Sequence, residues 1–313
     1  MENPAHKHHY IPKCYLRQWT GADEMLCEYK RPHDRVVVRR VYPSQTGWTD
    51  RLYVVDALPP EHAAVLEQRF FARVDQDASD ALKEFTSNRL LMTQRLRTGW
   101  SRFMMSLMQR HPGKVAELKR MARDEFIKSN DGDPHRKDYA AQRSPTDPET
   151  YEEYCALNFD KHVALVFADS LKTVCDLETA GQHLNNMDQR ILTLQWTTKR
   201  FMTSDNPLII NKGLAHDDCF IMIPISPRKL FVASNVEKYT DQLLARFEDD
   251  SWVDRVNAQV IGQSYRTAHD ICENQVEFAD QYWPKTKPDS YMHLKAPPGG
   301  FQPNGPSVGG RKL

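Results

Sequence analysis

Between residues 25 and 55 the chain alternates polar and apolar side chains in short runs: Met25-Leu-Cys-Glu-Tyr29, Arg35-Val-Val-Val-Arg39 and Arg51-Leu-Tyr-Val-Val55. A period of two is that of a strand with one buried face, and Pro32, His33 and Asp34 supply a turn, so a small hairpin or sheet is predicted here. After Pro59-Pro60-Glu61 the period lengthens. Ala64, Leu66, Phe70, Phe71, Val74 and Ala78 form one helical stripe, and Leu90, Leu91, Leu96, Trp100, Phe103, Met104 and Leu107 form another over 84–110, closed by His111-Pro112-Gly113. A third helix is predicted over 114–128. The Asn130-Asp-Gly-Asp-Pro134 break and a polar loop through Pro148 follow it. A fourth helix covers 149–178, with Val163, Val166, Phe167, Leu171, Val174 and Leu177 near a 3.6-residue period. The Met and aromatic residues of these stripes read as core filling.

From 190 the pattern returns to short apolar blocks: Ile191-Leu-Thr-Leu-Gln-Trp196, Leu208-Ile-Ile210, Phe220-Ile-Met-Ile223 and Lys229-Leu-Phe-Val232. These predict a second set of strands that joins the N-terminal ones in one sheet. A terminal helix is predicted over 251–276, from Trp252, Val256, Val260, Tyr265, Ala268 and Cys272. The expected fold class is α+β: a predominantly helical body with a small mixed or antiparallel sheet formed by N-terminal and central strands. It fills a single composite domain, residues 1–282, followed by a Pro/Gly-rich tail, 283–313, with little means of burying surface.

Forty-two Lys and Arg balance forty-two Asp and Glu, which removes global attraction as an argument for nucleic acid and leaves local patches. Between Arg89 and Lys128, however, ten basic residues meet three acidic ones, and Gln94, Arg95, Arg97 and Arg102 are candidates for a phosphate-facing helix surface. An acidic run over 237–254 is an intramolecular alternative partner. The six cysteines form no Cys-x-x-Cys pair and read as mostly buried free thiols of a reducing compartment. With no signal-like start and no run of about 18 apolar residues, a soluble cytoplasmic protein without a membrane partner is expected. The sequence sets no oligomeric state.

Two segments carry the strongest candidate chemistry. At the N-terminus His6, His8 and His9 precede Tyr10, Ile11, Tyr15, Leu16 and Trp19, an apolar anchor expected to pack on the body. Neutral imidazole ligates metals and moves protons near neutrality, and in an extended chain His8 and His9 point to opposite faces, so one of them serves any single site. The second segment is Thr203-Ser204-Asp205-Asn206-Pro207, where a carboxylate, hydroxyls and an amide meet at a turn. Asp205 can take a divalent ion or orient an imidazole, and equally can bond its own backbone. Ser204 lacks a nucleophile elbow. His269 and Glu273, four apart on the predicted terminal helix, make a weaker pair. Zincin, P-loop and dinucleotide-binding patterns are absent from the sequence.

The chain resembles a largely bacterial family, domain of unknown function 4238. His9, Ile11, Pro12, Tyr15, Leu16 and Trp19 follow its opening pattern, Phe201-Met-Thr203-Ser204-Asp205-Asn206-Pro207 its aromatic-x-Thr-Ser-Asp-x-Pro segment, and Pro224-Ile-Ser226-Pro227 a third landmark. The likeness covers roughly residues 8–270. It points to His9 as the imidazole to watch and implies no reaction. Two functions remain open. One is an intracellular phosphodiester hydrolase acting on nucleic acid or nucleotide, with His9 and Asp205 as catalytic pair and ligands of a divalent metal, and Arg95, Arg97, Arg102, Ser204 and Asn206 holding the substrate. The other is a nonenzymatic interaction or defence-associated module that recognises a protein or nucleic-acid partner.

Overall fold

Short antiparallel pairings tie distant parts of this chain together. A computed structural model describes residues 7–54, 66–87, 93–130, 135–246 and 250–286. His6, the predicted helix start at Pro59-Pro60-Glu61 with Ala64, the positions Leu90 and Leu91, the break at 131–134 and the tail from 287 lie outside the described residues. The chain forms two compact units. One is drawn from the N-terminal segment up to Arg17 with Pro43–Gly181, the other from Gln18–Tyr42 with the chain from Gln182 onward.

Along the chain the elements are β1 (Lys7–His9), α1 (Lys13–Leu16), β2 (Leu26–Lys30), β3 (Val37–Val41), β4 (Trp48–Asp50), a π-helix (Leu66–Phe71), α2 (Ala72–Thr86), α3 (Gln94–Arg110), α4 (Pro112–Asn130), α5 (His135–Gln142), α6 (Tyr151–Cys175) and α7 (Glu178–Asn186). There follow β5 (Asp188–Thr193), β6 (Thr203–Ser204), β7 (Ile209–Ile210), β8 (Phe220–Ser226), β9 (Lys229–Ser234), α8 (Glu237–Arg246), α9 (Asp250–Gly262), β10 (Ala268–Asp270) and α10 (Val276–Tyr282). The fold is predominantly helical with small antiparallel sheets, and N-terminal strands contribute to them.

In the first unit β1 pairs antiparallel with β4, which brings Gly47 against the anchor. The Gly47 carbonyl accepts from the backbone N–H of Tyr10 at 3.0 Å and of Ile11 at 3.2 Å. A side chain here would stand 3.1 Å from Ile11 Cβ on a backbone with φ +66°, so glycine answers both constraints. Tyr10, Ile11, Tyr15 and Leu16 are buried, and Tyr15 meets Phe103 of α3. Helix starts obey their sequence signals. Thr93 caps α3 through Leu96 N–H, and Thr150 with Glu153 makes a reciprocal capping box on α6.

In the second unit, one sheet runs β3-β2-β10-β6 and another β5-β9-β8-β7. The apolar face of α9, Trp252, Val253, Val256 and Val260, packs with Leu192, Ile209, Met222 and Val232 of the latter sheet in one core. Trp19 belongs to this unit, its indole N–H donating to the Phe201 carbonyl at 2.9 Å. Two expectations are corrected here. The central strands do not all join the N-terminal hairpin, since among the described residues only β6 reaches that sheet, through β10. The predicted terminal helix stops at Gly262, and Ala268–Asp270 is a strand instead, so His269 and Glu273 are not a helical pair. The reason is tertiary: pairing on both edges, with Glu28 of β2 and Thr203 of β6 opposite His269, outcompetes the local periodicity.

Among the described residues no helix is long and apolar enough to cross a membrane. The anchor's contribution is measurable. Leu16 is fully buried, so Leu16→Ala is expected to cost about 2–5 kcal/mol, read as a lowered midpoint in urea unfolding with an unchanged slope.

Candidate functional site

The cleft of the first unit collects cations from three directions. Its lining is Arg69 and Phe70 from the π-helix, Arg73 and Val74 from the start of α2, Arg102 from α3, and Lys172 with Asp176 from the end of α6 and the residue after it, around a cavity of about 330 Å³. Four positive side chains face one carboxylate. Asp176 is committed to Arg102, Oδ1 lying 2.5 Å from Nε, and its backbone N–H closes the helix on the Lys172 carbonyl. Among the described residues Arg69, Arg73 and Lys172 form no ion pair. The π-helix matters here, because its wider turn sets Arg69 and Phe70 out of step with an α-helical register and carries them to the cleft wall. Phe70 is half-buried, its ring edge-on to Phe71 at 5.2 Å. An aromatic wall beside uncompensated cations suits a ligand with phosphate charge and a flat apolar part.

Of the arginines expected on α3, one lies in this cleft. Arg102 lines it, whereas Arg95, two turns back on the same face, is drawn to Asp80 at 3.3 Å and Asp77 at 4.0 Å on α2. Arg97 sits about 200° round the helix from Arg95, half-buried and outside the cleft lining. Sequence reading missed Arg69, Arg73 and Lys172. The spacing of Arg69 and Arg73 beside Phe70 was a usable signal, while Lys172 is brought in by packing of α6 alone.

His9 stands on β1 in the first unit, nine-tenths buried. Its ring is held by the Ser44 backbone, and among the described residues Nε2 has no hydrogen-bond partner. Burial, helped by the positive charge of Lys13, Lys7 and His8, lowers its pKa to about 4, so the ring is neutral at pH 7 with an acceptor nitrogen to spare. His8 takes a different task, accepting the Tyr53 backbone N–H on Nδ1 at 3.1 Å and stacking on the Tyr53 ring.

Asp205, Ser204 and Asn206 lie in the second unit, where they clasp the loop between α9 and β10. Asp205 Oδ1 accepts from Tyr265 N–H at 2.7 Å and Oδ2 from Arg266 and Thr267 N–H at 2.8 and 3.1 Å, while its own N–H donates to the Thr267 carbonyl at 2.9 Å. Asn206 Nδ2 donates to the Gln263 carbonyl at 2.8 Å, and Gln263 Nε2 returns bonds to the carbonyls of Asn206 and Leu208. Ser204 Oγ accepts from Asn206 N–H. Three backbone donors on one carboxylate are worth several kcal/mol where no water competes. Among the described residues no group of three or more His, Cys, Asp or Glu is arranged to hold a metal ion.

The chain belongs to the family described as "Protein of unknown function (DUF4238)", whose model matches residues 7–270. The match takes in both the β1 anchor and the Asp205 clasp. No curated protein and no solved structure matches the chain.

Two outcomes test these assignments. Asp205→Ala is expected to lower stability by about 2–4 kcal/mol, with Asp205→Asn less damaging because one side-chain oxygen still accepts, both read from urea midpoints. His9 has a folded pKa below its unfolded value of 6.5, so its contribution is fully present above pH 6.5 and is lost as pH falls towards about 4, by up to about 3 kcal/mol. His9→Gln should therefore flatten the stability curve across that window relative to wild type. His269, also lowered to about 4 by burial, adds a slope of the same sign, and Asp270, raised to about 7 by burial, one of the opposite sign, so the comparison is wild type against variant.

Proposed function

We propose that the first unit is a recognition module for phosphate-bearing ligands, a nucleic-acid strand or a nucleotide, bound in the Arg69–Arg73–Arg102–Lys172 cleft. The observation that carries this reading is the gathering of Arg69, Arg73 and Lys172, none of them in an ion pair among the described residues, around an aromatic wall in a chain whose total charge is balanced. Guanidinium groups grip phosphate oxygens bidentately, Lys172 adds a point charge, and Phe70 offers a π-face to a base. The described lining residues include no Ser, Cys or His to act as nucleophile or base, which favours holding a ligand over cleaving one.

The hydrolytic reading rests on His9, whose unpartnered Nε2 and backbone-held ring have the form of a proton acceptor. Its expected partner Asp205 has both oxygens engaged by backbone N–H groups. Turnover of mixed DNA, RNA or nucleotide substrates in the presence of a divalent metal, abolished by His9→Gln, would favour hydrolysis over recognition.

Recognition is tested by fluorescence anisotropy with a short single-stranded oligonucleotide and with a nucleoside triphosphate. Saturable binding is expected, weakened at least about tenfold in Arg73→Ala/Lys172→Ala, or about 1.4 kcal/mol. On the strand, the slope of log affinity against log salt should shrink by about 0.7 for each lost contact. Failure of the wild type to bind either probe, or equal binding by the folded variant, sinks the reading.

A further inference from the structure

The second unit holds a chemical cluster that phosphate recognition does not use. Cys27 on β2 lies directly across from Asp270 on β10, so both side chains share one face of the sheet. Two residues on, the chain turns back over that face, because the Tyr29 hydroxyl donates to the Cys272 carbonyl at 2.5 Å. Each of the two thiols then meets its own guanidinium. Arg200 Nη1 is 3.1 Å from Cys272 Sγ and Arg40 Nη1 4.0 Å from Cys27 Sγ. Cys272 is half-buried and reachable, while Cys27 is fully buried. Between them Asp270 is fully buried, with Oδ1 bonded to Ile271 N–H and Oδ2 without a hydrogen-bond partner among the described residues, 3.8 Å from Arg200 Nε.

We propose that Cys272 is a site of oxidation by hydroperoxides and that Cys27 resolves it to an intramolecular disulfide, with Asp270 as proton carrier. The Arg200 guanidinium lies against the Cys272 sulfur, the atom that reacts. The Cys272 sulfur attacks one peroxide oxygen, forming an S–O bond and breaking the O–O bond. The departing hydroxide takes up the proton that the thiol released, leaving water and a sulfenic acid. Cys27 must then lose its proton, although burial pushes its pKa up to about 11. Asp270, raised to about 7 by the same burial, is the adjacent group able to take it. The Cys27 sulfur attacks the Cys272 sulfur, the S–S bond replaces the S–O bond, and the leaving hydroxide recovers the proton from Asp270. Two thiols are oxidised by two electrons and one hydrogen peroxide is reduced to two waters.

The other half-buried thiol supplies an internal control. Cys14, in the first unit, donates to the Asp75 carbonyl at 3.5 Å and is pushed up to about 12 by burial and the Asp75 charge. The full-length protein, reduced and then freed of reductant, is treated with hydrogen peroxide and mapped by mass spectrometry without reduction. A Cys27–Cys272 cross-linked peptide, released by dithiothreitol, is expected. In Cys27→Ser the dimedone adduct of a sulfenic acid should accumulate at Cys272, and Arg200→Met, which removes the guanidinium in contact with that sulfur, should slow its formation by about tenfold. Asp270→Asn should slow closure of the disulfide, read as sulfenic acid trapped by dimedone at Cys272 while Cys27 is still present, with thermal melting confirming that each variant is folded. The proposal is overturned if the wild type yields no cross-link, or if Cys272 takes up dimedone in folded Cys27→Ser no faster than Cys14.

Discussion

The second unit depends on how one buried carboxylate satisfies the backbone of the turn that leads into β10. Strand β10 is three residues long, yet it stands between β2 and β6 and is the only bridge by which a central strand reaches the N-terminal hairpin among the described residues. So short a strand cannot hold itself in register. Asp205 does it from outside, taking the N–H groups of Tyr265, Arg266 and Thr267, while Asn206 and Gln263 exchange amide bonds next to it. With those donors satisfied, Gly262 ends α9 and the chain enters the sheet instead of continuing the helix. Cys27, Asp270 and Cys272 come together as a consequence.

Charge is handled in two contrasting ways in the first unit. Arg110 is fully buried, and its burial is compensated: Nη2 is 2.8 Å from Asp75 and 2.9 Å from Ser106 Oγ, and the guanidinium lies 4.4 Å from the Phe71 ring centroid. On the neighbouring π-helix and α2, Arg69 and Arg73 are exposed and have no such partners among the described residues. Compensated charge is what a core requires. Uncompensated charge gathered from three helices has no structural necessity, and that difference is what supports the proposed phosphate site.

The helical stripes were legible because burial of an amphipathic face is a local property. The spacing of Val163, Phe167, Leu171 and Val174 foretold α6, and the alternation around Leu26–Lys30 and Val37–Val41 foretold a hairpin. The apolar anchor Tyr10, Ile11, Tyr15 and Leu16 had to be covered by something, whatever its partner. Around Ala268 the same reasoning failed. A three-residue strand has no period of its own, and pairing with Cys27, Glu28 and Tyr29 came from more than two hundred residues away.

Site chemistry divides along the same line. Residue type marked His9, Asp205 and Arg102 as candidates, since imidazole, carboxylate and guanidinium advertise their chemistry in any fold. Which of their atoms remain unengaged was decided by tertiary neighbours: Ser44 holds the His9 ring and leaves Nε2 over, the 265–267 backbone occupies Asp205, and α6 delivers Lys172 beside Arg102. The sequence by itself determined which segments must be helical, which must be extended and which surfaces must be buried, because those follow from hydrophobic spacing within one stretch of chain. Strand partners, the satisfaction of buried polar groups and the pooling of cations from three helices belong to the tertiary structure, because each is an interaction between residues that local spacing does not connect.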